Sequence, residues 1–315
     1  MSTHVSPSSD TGQKKTNRSI VVGVDTRGRS VSALVWAVDE AERDGSGLTL
    51  VSATRGSTGR DPLGQHDAGA LARRISCIDV EQRAVDGPPV EVLLDASVDA
   101  DLLVLGCRTV RPAQRIIAGS TSRAVACWSP VPVVIVPEPW IQPSLAAAPI
   151  VVGIRPADSE HNDKSSPLDE EVLAFAFARA SALRVPVVVV SAWEIPNLYA
   201  WSPPNIEAVR TRYDASLDER LSSWRTRYPD VEVTVRNVAE KPAQAALDAS
   251  NIAQLVVIGR HHSRSLSGIL GATARRVLRD STRPVAIVPS GDRAALVHEV
   301  QNRRAASTAA WGPTF

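Results

Sequence analysis

Residues Asp101–Pro137 read DLLVLGCRTVRPAQRIIAGSTSRAVACWSPVPVVIVP. Leu102 to Leu105 is a short continuous apolar run, the pattern of a strand covered on both faces. Gly106 closes it, and a polar loop carrying Arg108, Arg111 and Arg115 follows. Gly119-Ser120-Thr121 then opens a helical segment that carries Val125 and Trp128. Pro130 and Pro132 bracket the exit, and Val133 to Val136 is a second buried strand. Glycines let backbone N–H groups approach an anion, and a helix N-terminus adds partial positive charge. Such a loop either cradles phosphates or simply turns a strand into a helix, and a glycine loop alone does not decide between them.

The same order of elements extends upstream. Ile20 to Val24 is a strand with Asp25 at its C-terminal end, where open parallel sheets place ligands. Val31 to Arg43 has helical periodicity: Val31, Leu34, Val35, Val38 and Ala41 share a face, and Asp39, Glu40 and Glu42 lie mostly off it. Gly45 and Gly47 end that helix. Leu48 to Ala53 is a strand, Thr54 to Gly64 a loop, Asp67 to Cys77 a short helix. Ile78 to Val85 alternates as a third strand, and Val90 to Ser97 is a helix. This βαβαβαβαβ order predicts an α/β domain, doubly wound on a parallel sheet.

The chain then does it again. Ile20-Val-Val-Gly-Val matches Ile150-Val-Val-Gly-Ile. Leu50-Val-Ser-Ala matches Val189-Val-Ser-Ala, and Asp95-Ala-Ser matches Asp248-Ala-Ser. Leu103-Val-Leu-Gly matches Val256-Val-Ile-Gly. Gly119, Thr121, Arg123 and Val125 match Gly271, Thr273, Arg275 and Val277, and Ile135-Val-Pro matches Ile287-Val-Pro. The predicted organisation is a disordered tail over 1–18, a first domain over 19–138, a proline-bearing linker over 139–148, a second domain over 149–290 and a polar tail over 291–315. Both domains end in a β-branched strand with no polar face, so the edges Val133–Val136 and Val285–Val288 are expected to pack on each other.

Composition bounds the function. Lys plus Arg is 35 against 34 Asp plus Glu, a net charge of +1, which gives no bulk attraction to nucleic acid or an anionic membrane. No apolar window is long enough to span a bilayer, and the polar N-terminus has no apolar core of a secretory signal. Cys77, Cys107 and Cys127 form no CxxC and read as reduced thiols of a cytoplasmic protein. GxSxG, HExxH and the GK[ST] ending of a Walker loop are absent. His261-His262 diverge as neighbours and lack further ligands at metal spacing. Cys107 beside Arg108 is a quiet thiol or a redox-sensitive one. Trp128, Trp193 and Trp201 read as packing residues.

Gly106, two residues, Thr109, nine residues, Gly119-Ser120, together with IVVGVD and the repeat of the whole set, resembles the universal stress protein family. That resemblance implies two tandem Rossmann-like domains of the adenine nucleotide alpha hydrolase type, arranged as an internal pseudo-dimer or a homodimer. It implies a regulatory function with ATP or a related adenine nucleotide as ligand, Mg²⁺ arriving only with the nucleotide, and no catalytic residues. Carried over position by position, the nucleotide site comprises Asp25, Ala53 through its backbone, Gly106, Thr109, Gly119, Ser120 and Thr121. Thr109 stands where the family has Gly. The second set departs further: Arg155 replaces Asp25 and Pro156 follows. Gly259 is kept, His262 replaces the next Gly, only eight residues separate it from Gly271, and Ala272 replaces Ser120, with Thr273 offering a hydroxyl. It reads as a degenerate site, either structural or binding another anion through Arg155 and Arg260. A nucleotide-free scaffold and a slow ATPase are the competing classes.

The Thr109 departure is testable. A β-branched residue at φ > 0 carries strain of about 1–2 kcal/mol. Thr109→Gly is therefore expected to tighten nucleotide binding by up to about tenfold in a titration with a fluorescent ATP analogue. Weaker binding by both Thr109→Gly and Thr109→Val would instead assign the Thr109 hydroxyl to a phosphate.

Overall fold

The computed structural model describes residues 18–25, 30–54, 78–108, 120–141, 148–156, 167–193, 203–260, 262–263 and 266–310. The predicted helix over Asp67 to Cys77, Thr109, Gly119, His261 and Trp201 lie outside them. In the first half, the apolar runs form β1 (Ser19–Gly23), β2 (Gly47–Thr54), β3 (Val80–Asp86), β4 (Leu102–Arg108) and β5 (Val133–Glu138). Between them run α1 (Val31–Asp44), α2 (Pro89–Ser97) and α3 (Ser120–Trp128). The second half repeats this with β6 (Ile150–Ile154), α4 (Pro167–Leu183), β7 (Val187–Ala192), α5 (Pro203–Arg227), β8 (Val233–Val238), α6 (Pro242–Ser250) and β9 (Leu255–Gly259). A two-stranded hairpin of β10 (His262–Ser263) and β11 (Leu266–Leu270), then α7 (Ala272–Asp280), β12 (Val285–Val288) and α8 (Arg293–Ala310), complete the chain.

Both halves share one sheet. Its ten strands run β3-β2-β1-β4-β5-β12-β9-β6-β7-β8. Pairing is parallel within each half, as β-α-β crossovers require. The join is antiparallel: Val133 faces Ile287, Val134 faces Ala286 and Ile135 faces Val285. The two terminal edges expected to pack thus pair strand to strand. The outer edge β3 is exposed and carries Glu81 and Arg83, a charged rim that discourages further strand addition.

Each sheet face has one apolar core that runs through both halves. Ile20, Val22, Val134, Ile150, Val152 and Ala286 line one, under α1, α4 and α5; Val21, Leu103, Ile135, Val256, Val285 and Ile287 line the other, under α2, α3, α6 and α7. Aromatic stacking of Phe177 with Trp224, centroids 5.5 Å apart, fills the first. Gly45 ends α1 in the left-handed conformation, φ 71°, its N–H donating to the Ala41 carbonyl.

Two expectations change. Asp39 and Glu40, read as lying off the buried face of α1, are buried. For Glu40 the second half supplies the reason: Arg179 of α4 forms an ion pair with it, and the guanidinium lies over the Trp36 ring at 4.8 Å. Burial pulls the Arg179 pKa down, and the Glu40 charge opposes that shift. The polar tail after residue 291, expected to hold a short helix and then fray, holds the 18-residue helix α8. Its Arg293 donates to the Val98 and Ala100 carbonyls beyond α2, and its Arg303 guanidinium lies 3.7 Å over the Trp128 ring. Among the described residues no helix is long and apolar enough to cross a membrane.

Gly23 and Gly153 occupy equivalent places in β1 and β6 yet have opposite surroundings. A Cβ on Gly23 would lie 2.4 Å from Leu105 Cδ2 and 2.9 Å from Leu93 Cδ2, whereas on Gly153 its nearest neighbour is the Val257 carbonyl oxygen at 4.0 Å. Gly23→Ala should cost about 1–3 kcal/mol through overpacking, and Gly153→Ala should be close to neutral. Urea denaturation of the two variants tests this; equal effects would contradict the packing difference.

Candidate functional site

In the strand order of the first half, connections leave β1 and β4 in opposite directions, so their C-terminal ends flank a crevice. Gly23 pairs with Leu105, and the chain emerges there as Val24-Asp25 on one side and Gly106-Cys107 on the other. Asp25 is held by its N–H, which donates to Ser30 Oγ at 2.9 Å. Gly106 is held through its carbonyl, which accepts from Ser122 Oγ at 3.0 Å. Ser122 belongs to the first turn of α3, so this bond ties the end of β4 to that helix start. Ser120 and Thr121 are the first two residues of α3. Ala53 lies near the end of β2, half-buried, as a backbone contact requires.

Two helix N-termini approach this edge. That of α1 has an anion already: the Ser32 N–H donates to Glu138 Oε2 at 3.1 Å, and Ser32 Oγ accepts from the Trp140 N–H. The start of α3, with the candidate residues Ser120 and Thr121, is the other one. Asp25 and Gly106 leave the C-terminal ends of adjacent strands, the Ser122–Gly106 bond brings the start of α3, with Ser120 and Thr121, to the end of β4, and Ala53 lies on the neighbouring β2. Thr109 and Gly119 belong to the loop outside the described residues.

The second half shows what that topology encloses. A cavity of about 280 Å³ is lined at the strand ends by Gly153, Arg155, Ala192 and Gly259 and at the start of α7 by Gly271, Ala272 and Thr273. Its size is close to the lower end of small-ligand pockets, roughly 300 Å³. Every position carried from the first half except His262 lines it. The His262 backbone is instead in the β10–β11 hairpin, paired with Leu270. That hairpin stands where the first half has its glycine loop, and it packs against α3 of the other half.

Arg260, read with Arg155 as an anion contact, has a different place. It is 2% exposed, and its Nη1 donates to the Ser129 carbonyl across the interface. Burial lowers its pKa to about 10, with Glu299 of α8 opposing, so it stays cationic at neutral pH. The Arg155 carbonyl accepts from Arg220 Nη1 at 3.0 Å; Arg220 also pairs with buried Asp169 at 2.9 Å. Cys107 is not activated: burial pushes its thiol pKa up, and the charge of Arg123 only partly offsets this. Burial raises Cys127 likewise. Trp193 is buried against Tyr213, centroids 5.5 Å apart. The sequence reading missed the hairpin, Arg179, Arg293 and Arg303; each acts across the two halves, where periodicity within one half gives no signal.

The family model of the universal stress protein family matches residues 16–137 and 163–289. A universal stress protein of Mycobacterium tuberculosis (strain H37Rv) is 31% identical over 291 residues, 85% of this chain and 95% of that protein. One of Mycolicibacterium smegmatis is 30% identical over 304 residues, 88% of this chain and 98% of the relative. Among solved structures, a putative universal stress protein from Pseudomonas aeruginosa UCBPP-PA14 superposes with a TM-score of 0.66 at 17% identity, covering 91% of this chain and 99% of its own. The fold is therefore shared along nearly the whole chain.

Arg260 supplies an interface test. Arg260→Met leaves the buried Ser129 carbonyl without this donor, which should cost about 1–3 kcal/mol in urea denaturation. A variant as stable as wild type would show that the guanidinium contributes nothing net across the interface.

Proposed function

This chain belongs to the universal stress protein family, and on that premise we propose that it is a regulatory protein binding an adenine nucleotide, ATP as the family resemblance implies, in its first half. The observation that carries the reading is positional. Asp25 and Gly106 leave two paired strands on either side of the topological switch point, and α3 begins there with Ser120-Thr121. A carboxylate can accept from ribose hydroxyls or an exocyclic amine, and the helix start can hold phosphate. The residues present fit such a ligand: a donor-rich helix start for the phosphates, and an acidic acceptor across the crevice. Mg²⁺ would come with the phosphates. The proposed role is binding rather than turnover, in a cytoplasmic setting.

The second half is proposed as the structural partner of an internal pseudo-dimer. It has Arg155 where the first half has Asp25 and Ala272 where the first half has Ser120, and its loop is committed to the hairpin against α3. One observation favours the scaffold alternative. Leu93 and Leu105 close over Gly23, where the second half has Ala246 and an open Gly153. A nucleotide in the first half must seat outside those two leucines.

Calorimetric titration of the full chain with ATP and Mg²⁺ distinguishes the readings. One site per chain is expected. Asp25→Ala should weaken it, and Ser120→Ala should cost about 1 kcal/mol for one phosphate contact. Arg155→Ala and Ala272→Ser should leave it nearly unchanged. Two equal sites, or indifference to Asp25→Ala, would overturn the assignment; no binding at all would leave the scaffold.

A further inference from the structure

A second cavity, of about 400 Å³, opens where the two halves meet. It lies beside the β5–β12 junction. The first half contributes Cys107, Ser122, Arg123 and Ile135; the second contributes α7, with Ala272, Arg275, Arg276, Leu278 and Arg279. Arg123 and Arg275 are equivalent in the internal repeat, so the pseudo-symmetry that brings β5 to β12 also brings these two cations to one cleft. The cleft exists only because the halves share a sheet.

The charge around it is one-sided. Among the described residues the carboxylate that meets its arginines is Asp280, hydrogen-bonded to Arg279 at 3.0 and 3.1 Å and 3.8 Å from Arg276 Nε. Arg276 Nη2 donates to Gln244, while its Nε is buried and donates to no described atom. Among the described residues, the guanidinium groups of Arg123 and Arg275 meet no carboxylate. Ser122 spends its proton on the Gly106 carbonyl and can still accept or be bridged. Cys107, whose burial favours the neutral thiol, adds no negative charge to the wall. Four guanidinium groups around one described carboxylate leave an excess of positive charge that a bound polyanion would offset.

We propose that this inter-half cleft binds a short chain of phosphates, with Arg123 and Arg275 reaching it from opposite halves. A guanidinium presents a planar fork that matches two phosphate oxygens, and several forks on two elements suit an anion with charge spread along its length. The walls of α3 and α7 exclude a nucleic-acid duplex from a space of this size. Ala272 lines both this cleft and the cavity of the second half, so the two lie on either side of the start of α7. The cleft adjoins the proposed nucleotide crevice, since Cys107 follows Gly106 and Ser122 Oγ donates to the Gly106 carbonyl, but its arginines are not among the residues proposed to hold the nucleotide. Because it draws on both halves, an occupant would brace the junction.

The experiment is calorimetric titration of the full chain with inorganic tripolyphosphate, at low and at physiological salt. One-to-one binding that weakens as salt rises is expected. Arg275→Gln and Arg123→Gln should each weaken it about tenfold, the usual scale for a charge-assisted contact, while Arg210→Gln on α5 should not. Thermal melts should show all three variants folded, since both cleft substitutions are at exposed positions. ATP as a competitor identifies the source: displacement of tripolyphosphate that survives Asp25→Ala assigns the cleft to a nucleotide's phosphate tail, and no displacement assigns it to free polyphosphate. Absence of binding, indifference to both arginine variants, or equal affinity for citrate would overturn the proposal.

Discussion

The antiparallel pairing of β5 with β12 is the constraint on which the rest of the molecule depends. Each half ends in a strand buried on both faces, with an unpaired row of N–H and C=O groups along its outer side. Pairing the two rows satisfies both edges at once and turns two five-stranded sheets into one. It also fixes everything that lies above and below. On one face α1 meets α4, so the polar stripe of α1 is buried and Arg179 must answer Glu40. On the other face α3 meets the β10–β11 hairpin and Arg260. A buried charge without its partner would cost several kcal/mol, so these pairs stabilise the arrangement chiefly by penalising any other register.

Duplication within that sheet has left the halves unequal. The first keeps an acid at the end of its first strand and a hydroxyl at the helix start; the second has Arg155 and Ala272. The second has instead spent its loop on contact with α3. The first, in turn, has closed the space beside Gly23 with Leu93 and Leu105, while the second keeps a cavity beside Gly153. Part of the departure from the glycine pattern, His262 and the shorter spacing to Gly271, thus falls on the same stretch of chain as the hairpin that contacts α3.

Much of this was legible in the residues. Buried parallel strands announce themselves as unbroken apolar runs, so β1, β4, β5, β6, β9 and β12 could be read directly, and the internal repeat supplied their order. The shared edge followed from the absence of a polar face on Val133–Val136 and Val285–Val288. What lay hidden was every feature made by the other half. Periodicity marks Glu40 as polar and thus exposed, because nothing local reveals Arg179. The residues of α8 are polar on most sides, so the helix reads as a tail; its anchors are Arg293 on the carbonyls after α2, Arg303 on Trp128 and buried Val300. At the candidate site, motif spacing puts Asp25 and Gly106 at strand ends and Ser120-Thr121 at a helix start, and those are the elements that carry them. Arg260 was misplaced because spacing puts it in a loop and only the interface turns it away.

The central claim is that one sheet carries one nucleotide crevice, in its first half. Hydrogen exchange of the full chain with and without ATP tests it most directly, since amide protection reports where a ligand sits without altering a residue. The account predicts slower exchange around residues 24–25, 104–108 and 120–123, with residues 153–156, 257–259 and 271–274 unchanged. Protection confined to the second set, or equal in both, would contradict it.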